Sequence, residues 1–311
     1  MNPDTATEGL IARFRFLLVA MGVVFYGTGP VLARSTATTG PLLSLWRLWF
    51  GVGVFALAFG AQRLRGMGQI NSRKGWTWAF VAGSTFAFNQ VLFFTAVKRT
   101  SVADATLMST MSPLVVAVIA VPIFGERPGR TFRLWSLVAI AGAAFVVLGS
   151  SSRSGGDFWG MAMALASTAM FSGFFLISKW ARAEISVVAF LGGVMAAAAF
   201  WVTLYVLLIT GEDVFAVSTT DRWRALAMAI VPGALGHVVM TAPLRYMPAN
   251  IPPLMRLAGP VVSGGMAWVF LSEAATWVHL VGGLVILGGQ AGAILSPAGQ
   301  DLMASAKSSK S

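Results

Sequence analysis

Two polar side chains stand at matching depths in apolar stretches of the sequence, and they are the first candidates for chemistry. Gln90 and His237 are 147 residues apart, and each stands seven residues before the end of an apolar run. At 1.5 Å per residue, both lie about 10 Å inside a helix that crosses a membrane. A strongly polar group at that depth is costly unless it faces a partner or a watery cavity. The pair therefore predicts either a cavity lining or an interhelical hydrogen bond that fixes packing.

Further Met, aromatic and hydroxyl side chains share helix faces with this pair, at spacings of three and four residues. Flexible Met and flat aromatic side chains around a few polar groups are typical of an adaptable site for partly apolar solutes. Ordinary helix packing produces the same stripes, so the set carries more weight than any one member. With Gln90 and His237, the predicted substrate-binding residues are Tyr26, Phe86, Phe93, Met108, Met111, Ser112, Ser172, Phe175, Met240, Met255 and Arg256.

Few charged residues fall inside the apolar runs. Arg256 lies about 8 Å from one end of its run, where it either pairs with a substrate carboxylate or extends to the membrane surface. Arg47 has no counterpart 147 residues further on, and we interpret it as structural. Glu126 and Glu273 stand at run ends and are assigned to helix termini. No Asp or Glu lies in the middle third of a run, so we expect facilitation or exchange rather than proton coupling.

Two prolines are better candidates for moving parts than the charges are. Pro113 and Pro260 are also 147 residues apart, and each stands within an apolar run. A proline inside a helix removes a backbone hydrogen bond and bends it, which predicts hinges or static kinks that shape a cavity. Gly264, Gly265 and the glycines of the last run in each half predict close helix contacts.

The elements that position these residues must lie in a bilayer. Of 311 residues, 57% are hydrophobic and 11% are charged, too few to cover a water-soluble protein of this size. A helix that crosses a membrane needs about 20 apolar residues, and the runs are continuous, unlike the alternating strands of a barrel. The predicted spans are Phe14 to Ala33, Pro41 to Ala61, Gly75 to Val97, Val102 to Phe124, Phe132 to Gly149, Phe158 to Trp180, Val187 to Ile209, Trp223 to Leu244, Ile251 to Leu271 and Trp277 to Leu295.

Basic residues in the loops predict the orientation. With the amino terminus inside, the inner segments carry 14 Lys and Arg residues and the outer segments carry 6. Short cytoplasmic loops retain excess positive charge, so we expect both termini in the cytoplasm of a bacterium, with the chain in its inner membrane.

The chain repeats itself. A shift of 147 residues superposes Leu107 on Leu254, Met108 on Met255, Pro113 on Pro260, Val115 on Val262, Ala120 on Ala267 and Glu126 on Glu273. Five spans per copy is an odd number, so the second copy enters the membrane upside down. The predicted fold is thus an all-α integral membrane protein of ten helices in two inverted repeats, residues 1–150 and 151–311. Substrate sites in such transporters lie near the midplane between the halves.

These features resemble the drug/metabolite transporter superfamily, in its EamA-like ten-helix exporter branch. The resemblance rests on the two prolines, on the short segments Phe124-Gly125-Glu126 and Leu271-Ser272-Glu273, and on the spacing of Gly282 and Gly289 after Glu273. Trp135 departs from the usual glycine at the matching place in the first copy. Within the branch, the chain is most similar to the bacterial exporters of aromatic and other neutral amino acids. The resemblance implies alternating access to such substrates, with a broad metabolite or drug exporter as the alternative.

Other classes of protein fit poorly. The chain contains no Cys and two His, which argues against thiolate or histidine-cluster metal sites, and the scattered basic residues form no nucleic-acid stripe. The Asp residues are not clustered as a membrane-embedded enzyme would need, and no selectivity-filter repeat indicates a channel. We therefore expect no catalytic residues, no metal and no cofactor. The expected partners are a small-molecule substrate and membrane lipid, with the protein acting as a monomer.

Overall fold

The computed structural model describes residues 13–64, 72–112, 114–115, 129–151, 157–181, 184–241 and 255–297. The regular elements in these ranges are helical. They are α1 (Arg15–Ser35), α2 (Gly40–Leu64), α3 (Arg73–Arg99), α4 (Val102–Ser109), α5 (Arg130–Ser151), α6 (Phe158–Ala181), α7 (Val187–Tyr205), α8 (Thr219–Met228), α9 (Gly236–Thr241), α10 (Gly259–Leu271) and α11 (Trp277–Leu295). A π-helical turn, Val206–Thr210, extends α7, and another, Ala229–Leu235, joins α8 to α9.

Most of the predicted spans coincide with these helices. Within the described residues, six helices are long and apolar enough to cross a membrane: Phe16–Ser35, Gly40–Leu64, Arg73–Arg99, Arg130–Gly149, Val188–Thr210 and Trp277–Leu295. The predicted sixth span agrees with α6, and the eighth corresponds to α8, its π-helical turn and α9. Only α4 and α10 represent the fourth and ninth spans, whose remaining residues are largely outside the described ranges.

Serine side chains determine where several helices begin. Ser72, Ser101, Ser186 and Ser218 each accept a hydrogen bond from the backbone N–H three residues on. This N-cap satisfies one of the free amide groups that every helix start exposes. The third residue of α4, Asp104, also binds across the bundle, because its Oδ1 lies 3.1 Å from Nε2 of His279 in α11.

The Asp104–His279 contact joins two helix starts. The backbone N–H of Thr276 donates to Nδ1 of His279, so Nε2 carries the proton and donates it to Asp104. Asp104 also accepts from the hydroxyls of Thr100 and Ser101, and both Asp104 and His279 are buried. The sequence-based prediction used His237 alone and overlooked this second histidine.

The helices pack in pairs that correspond when the two halves are exchanged. α3 packs on α6, and the corresponding pair in the other half is α9 on α1. In the same way, the contact of α4 with α6 corresponds to that of α10 with α1, and the contact of α3 with α7 corresponds to that of α8 with α2. The last helices of the two halves, α5 and α11, pack on each other. Such an arrangement is the one expected around a pseudo-twofold axis between inverted copies.

Glycines let α5 and α11 approach closely, as predicted. A Cβ atom at Gly289 would lie 2.6 Å from the backbone nitrogen of Ala139, and one at Gly142 would lie 2.9 Å from that of Ile286. The prediction for Gly264 and Gly265 is wrong, because a Cβ atom at either would meet no atom within 4 Å. Those two glycines therefore lie on an open face of α10.

The ninth span is broken, but not as predicted. Pro260 stands in the first turn of α10, where its missing N–H costs no hydrogen bond, so it does not bend the middle of a helix. The break precedes it: Ala258 N–H donates to Met255 O three residues back, at 3.1 Å. Met111 N–H donates to Met108 O in the same way, also at 3.1 Å, 147 residues earlier. Pro113 itself lies outside the described residues.

Charged groups at one end of the bundle bind the helix ends together. Glu273 accepts from Nε of Arg34 at 2.8 Å and from the backbone N–H of Val102 at 3.0 Å, so it caps α4 from the loop between α10 and α11. Nearby, the buried carboxylate of Asp221 accepts from the amides of Ala37 and Thr38. Glu273 thus acts at a helix terminus as predicted, whereas Glu126 lies outside the described residues.

Arg99 pairs with Asp157 at the same end of the bundle. This side-chain hydrogen bond is the main reason that the pKa of Asp157 lies below its usual value. The contacts at this end join segments that the sequence predicts to be external, which is consistent with the predicted order of crossings.

Candidate polar substrate site

A group of polar and aromatic side chains from separate helices meets around Tyr26. The hydroxyl of Tyr26 on α1 hydrogen-bonds Nδ1 of His237 on α9 at 2.7 Å, and the two rings meet edge to face at 5.3 Å. The guanidinium of Arg256 lies 5.8 Å from the centre of the Tyr26 ring and 5.6 Å from that of Phe171 on α6. Three sequence-predicted residues, Tyr26, His237 and Arg256, are therefore brought together.

The sequence allows two roles for Arg256: pairing with a substrate carboxylate or extending to the membrane surface. Its guanidinium stacks on rings from α1 and α6, the helices that correspond in the two halves. A side chain that extended to the membrane surface would lie away from both. Arg256 is exposed, so its charge faces open space between these helices.

Arg47 is buried on α2. Its Nη1 donates to Oε1 of Gln90, and its guanidinium lies 5.4 Å from the Phe94 ring. These contacts are compatible with the structural role predicted for Arg47. Among the described residues, however, no group accepts a hydrogen bond from its Nε, which is unusual for a buried donor.

Gln90 and His237 do not form the direct pair that their symmetric positions indicate. Arg47 links them instead: it binds Gln90, and its Nη2 would lie 3.9 Å from a Cβ atom at Gly233, one turn before His237. The amide nitrogen of Gln90 donates to Asn89, which in turn donates to the carbonyl of Ser167 on α6. The Gln90 amide is thereby oriented with its oxygen toward Arg47.

The π-helical turn Ala229–Leu235 positions this side of the site. It packs on α1 and α2, the helices that carry Tyr26 and Arg47. Gly236 N–H donates to Val231 O five residues back, and Pro232, within the turn, has no N–H to donate. π-helical turns are rare and often occur at functional sites. The wide turn sets the angle at which His237 meets Tyr26.

Among the described residues, the acidic side chains pair with groups other than Arg47 and Arg256. Each described Asp or Glu binds a group at the bundle ends rather than Arg47 or Arg256: Asp104 binds His279, Asp157 Arg99, Glu184 Lys74, Glu212 Thr39, Asp213 the amide of Phe215, Asp221 Arg224 and Glu273 Arg34. Among the described residues, no carboxylate therefore neutralises either guanidinium.

Several other predicted residues pack in the apolar interior rather than around Tyr26. Phe86 lies against Phe174, with ring centres 5.0 Å apart, and is almost fully buried. Met108 and Met111 belong to the hydrophobic core, and Gln290 donates to the sulfur of Met111 at 3.4 Å. For these three residues, a structural role at helical spacing is the one their contacts support.

The remaining predicted residues are divided. Ser112, three residues after the end of α4, and Ser172 on α6 hydrogen-bond each other at 3.0 Å. Phe93 packs on the core beside Phe94, and Met255 packs beside Tyr26. The side chains of Phe175 and Met240 lie outside the described set.

Phe171 and Arg47 contact predicted substrate-binding residues but are not among those that the sequence predicts. Phe171 matches Phe25 at a shift of 146 residues, but its contact with Arg256 depends on how α6 faces the ninth span, which spacing along one helix does not give. Arg47 had a usable signal, because an ionisable residue inside a span is a functional candidate by default.

The arrangement is suited to binding an anion reversibly. Guanidinium groups bind carboxylates with two parallel hydrogen bonds, and the neighbouring rings offer apolar contact. Among the described residues, no group of three His, Asp or Glu side chains is placed to hold a metal ion.

Proteins with similar sequences are named as transporters or exporters. The chain is 26% identical to the uncharacterised transporter YwfM of Bacillus subtilis, over 88% of the chain and 91% of that protein. It is 26% identical to the pseudopaline exporter CntI of Pseudomonas aeruginosa, covering 72% and 77%. It is 27% identical to the aromatic amino acid exporter YddG of Ancylobacter novellus, covering 85% and 92%. The model of the EamA-like transporter family matches residues 13–148 and again 158–295. The two matches span most of the protein, and the chain belongs to the EamA-like transporter family.

Proposed function

We propose that this membrane transporter exports amino acids, aromatic and other neutral ones among them, by alternating access between its two halves. The family and its named exporters favour a carrier of small molecules over an enzyme. The substrate class is our inference from the site. We further propose ten crossings in two inverted halves, residues 1–150 and 151–311, in a bacterial inner membrane with both termini in the cytoplasm.

The observation that carries this proposal is the buried guanidinium of Arg47. Its Nε lacks a partner, and no described carboxylate pairs with it. Leaving a charge buried and unpaired is costly, so a site of this kind gains free energy when a substrate carboxylate arrives. Every amino acid supplies such a group. The Gln90 amide binds this guanidinium, and the Tyr26–His237 pair on α1 and α9 offers further hydrogen-bonding groups.

Aromatic surface near the arginines accounts for the rest of the substrate. The rings of Phe94, Phe171 and Tyr26 lie beside the two guanidinium groups. A flat or apolar amino-acid side chain gains free energy by leaving water for such a surface. No single shape is required, which supports a broad specificity that includes aromatic residues.

Uptake into proteoliposomes tests the function. Purified protein is reconstituted, and radiolabelled Phe, Trp, Met, Thr and Ala are offered with and without an imposed pH gradient at constant voltage. We expect saturable uptake of several of them that ignores the gradient. Absence of uptake for all five would contradict amino-acid transport.

Two variants separate the role of Arg47 from a general loss of charge. Arg47→Gln removes the proposed carboxylate ligand, and we expect transport to fall at least about tenfold. Arg63→Gln is the control, because Arg63 also stacks on an aromatic ring, Phe59 at 5.1 Å, but at an exposed helix end. Equal transport by both variants would count against the proposal.

A broad-specificity metabolite exporter is the second candidate. The observation in its favour is the similarity to the pseudopaline exporter CntI, which is as strong in identity as that to the amino acid exporter. A negative amino-acid screen followed by saturable uptake of other carboxylate-bearing metabolites would favour this candidate.

A further inference from the structure

We propose that the site selects solutes with net negative charge, such as acidic amino acids and dicarboxylates, over neutral zwitterions. This inference deepens the proposed function, on whose site it rests. It begins from a mismatch of charge. Arg256 lies over the Tyr26 ring, and Arg47 lies beside Gly233, one turn before the His237 that binds Tyr26. The described acids all bind elsewhere.

A neutral amino acid does not balance that charge. Its carboxylate neutralises one guanidinium, but its ammonium adds a positive charge, and no described carboxylate lies ready to receive it. A second anionic group on the substrate satisfies the remaining guanidinium and relieves the repulsion between like charges.

The two arginines differ in a way that assigns them separate tasks. Arg47 is buried and held by Gln90, so it is fixed in place and suits a group common to all substrates. Arg256 is exposed, forms no hydrogen bond or ion pair with any described residue, and precedes the break before α10. A long side chain with this freedom reaches second anionic groups at different distances. We therefore assign the common carboxylate to Arg47 and charge selection to Arg256.

The closest chemical test compares glutamate with glutamine. The two have nearly the same size and shape, and they differ by one negative charge. Each is used as an unlabelled competitor of radiolabelled substrate uptake in proteoliposomes holding the full chain, and each is also offered labelled. Glutarate, which has two carboxylates and no ammonium, is the third probe. We expect glutamate and glutarate to bind roughly tenfold or more tightly than glutamine.

Variants connect this preference to Arg256. Arg256→Gln should lower the apparent affinity for glutamate and glutarate at least about tenfold, which brings glutamate close to glutamine. Arg256→Lys, which keeps the charge, should retain part of the preference. Arg63→Gln, the stacked arginine outside the site, should retain all of it. The wild-type ratio is informative even if a variant fails to fold.

The outcomes distinguish this inference from the proposed function. Equal affinity for glutamate and glutamine in a protein that transports neutral amino acids overturns the charge selection alone. Uptake of glutarate that Arg256→Gln abolishes, with no uptake of any amino acid, overturns amino-acid transport and upholds the charge selection. No uptake of any of these probes overturns both. An unchanged glutamate preference in Arg256→Gln overturns the assignment to Arg256.

Discussion

At the scale of single residues, the site depends on a few polar contacts made across helices. The most specific is that between Tyr26 and His237, because the hydroxyl and the imidazole come from different halves of the chain. The ring of Tyr26 also lies under Arg256. One side chain therefore serves both a hydrogen bond and a stacked charge, and substitution can separate them.

Tyr26→Phe removes the hydroxyl and keeps the ring. We expect an apparent substrate affinity about threefold to tenfold weaker, the usual cost of one lost hydrogen bond, with the charge preference retained. Concentration-dependent uptake in proteoliposomes measures it. Tyr205→Phe, at an exposed position near the end of α7, is the matched control and should behave as wild type.

The double variant Gln90→Ala with His237→Ala removes both polar groups predicted first from the sequence. Because Gln90 holds Arg47 and His237 holds Tyr26, we expect a larger loss of uptake than either single variant gives. Unchanged transport in the double variant would refute a central role for these two residues.

The internal repeat decides which of these residues can be identified from the sequence. The 147-residue repeat identifies Gln90 and His237 correctly as polar groups of the interior, since equivalent positions face equivalent surroundings. The repeat gives no information on Arg47, which has no counterpart in the second copy. A single substrate bound near the axis of a pseudo-symmetric protein meets two different sides, so asymmetric charges are to be expected there.

At the scale of helices, the last helices of the two halves, α5 and α11, pack closely against each other. Gly289→Val places a branched side chain against Ala139, whose backbone nitrogen would lie only 2.6 Å from the new Cβ atom. Overpacking of this kind costs about 1 to 3 kcal/mol, so the apparent melting temperature should fall by several degrees.

The neighbouring Gly288 is the control for this substitution. A Cβ atom there would meet nothing within 4 Å, so Gly288→Val should leave the melting temperature nearly unchanged. Both are measured by thermal unfolding of detergent-purified protein. Equal destabilisation by the two variants would show that helix propensity, and not the close contact, sets the effect.

The Asp104–His279 hydrogen bond makes a separate prediction for the start of α11. His279→Leu leaves the buried carboxylate without one of its donors and should cost about 1 to 3 kcal/mol of unfolding free energy. His279→Gln keeps an N–H donor and should restore much of that loss. Thermal unfolding compares the two, and a Gln variant no more stable than the Leu variant would contradict the hydrogen-bond account.

Prediction from sequence was most successful for whole helices and least for their interruptions. Continuous apolar runs give α1, α2 and α3 within a few residues, because the bilayer fixes helix length. The break before Pro260 was expected as a bend within a helix. A proline is compatible with both a kink and a first turn, and only the hydrogen bond of Ala258 to Met255 distinguishes them.

At the scale of the whole molecule, the predicted orientation rests on the distribution of Lys and Arg and is open to a direct test. The natural chain has no cysteine, so each introduced cysteine is the sole thiol. Thr220 and Arg73 are exposed at opposite ends of the bundle. In intact cells, a membrane-impermeant maleimide should label Thr220→Cys, and it should label Arg73→Cys only after the cells are permeabilised. The reverse pattern would invert the topology.

The π-helical turn Ala229–Leu235 has a consequence for how the halves can move. A π turn accommodates one residue more than an α turn, so conversion of this turn to α geometry would rotate everything after it by about 100°. His237 stands only two residues beyond the turn, and the rotation would carry its imidazole off Tyr26 without any bend in the helix axis. If substrate binds at this polar group as proposed, a slip of one residue along α9 would disassemble the group and release the substrate while the surrounding helices stay packed.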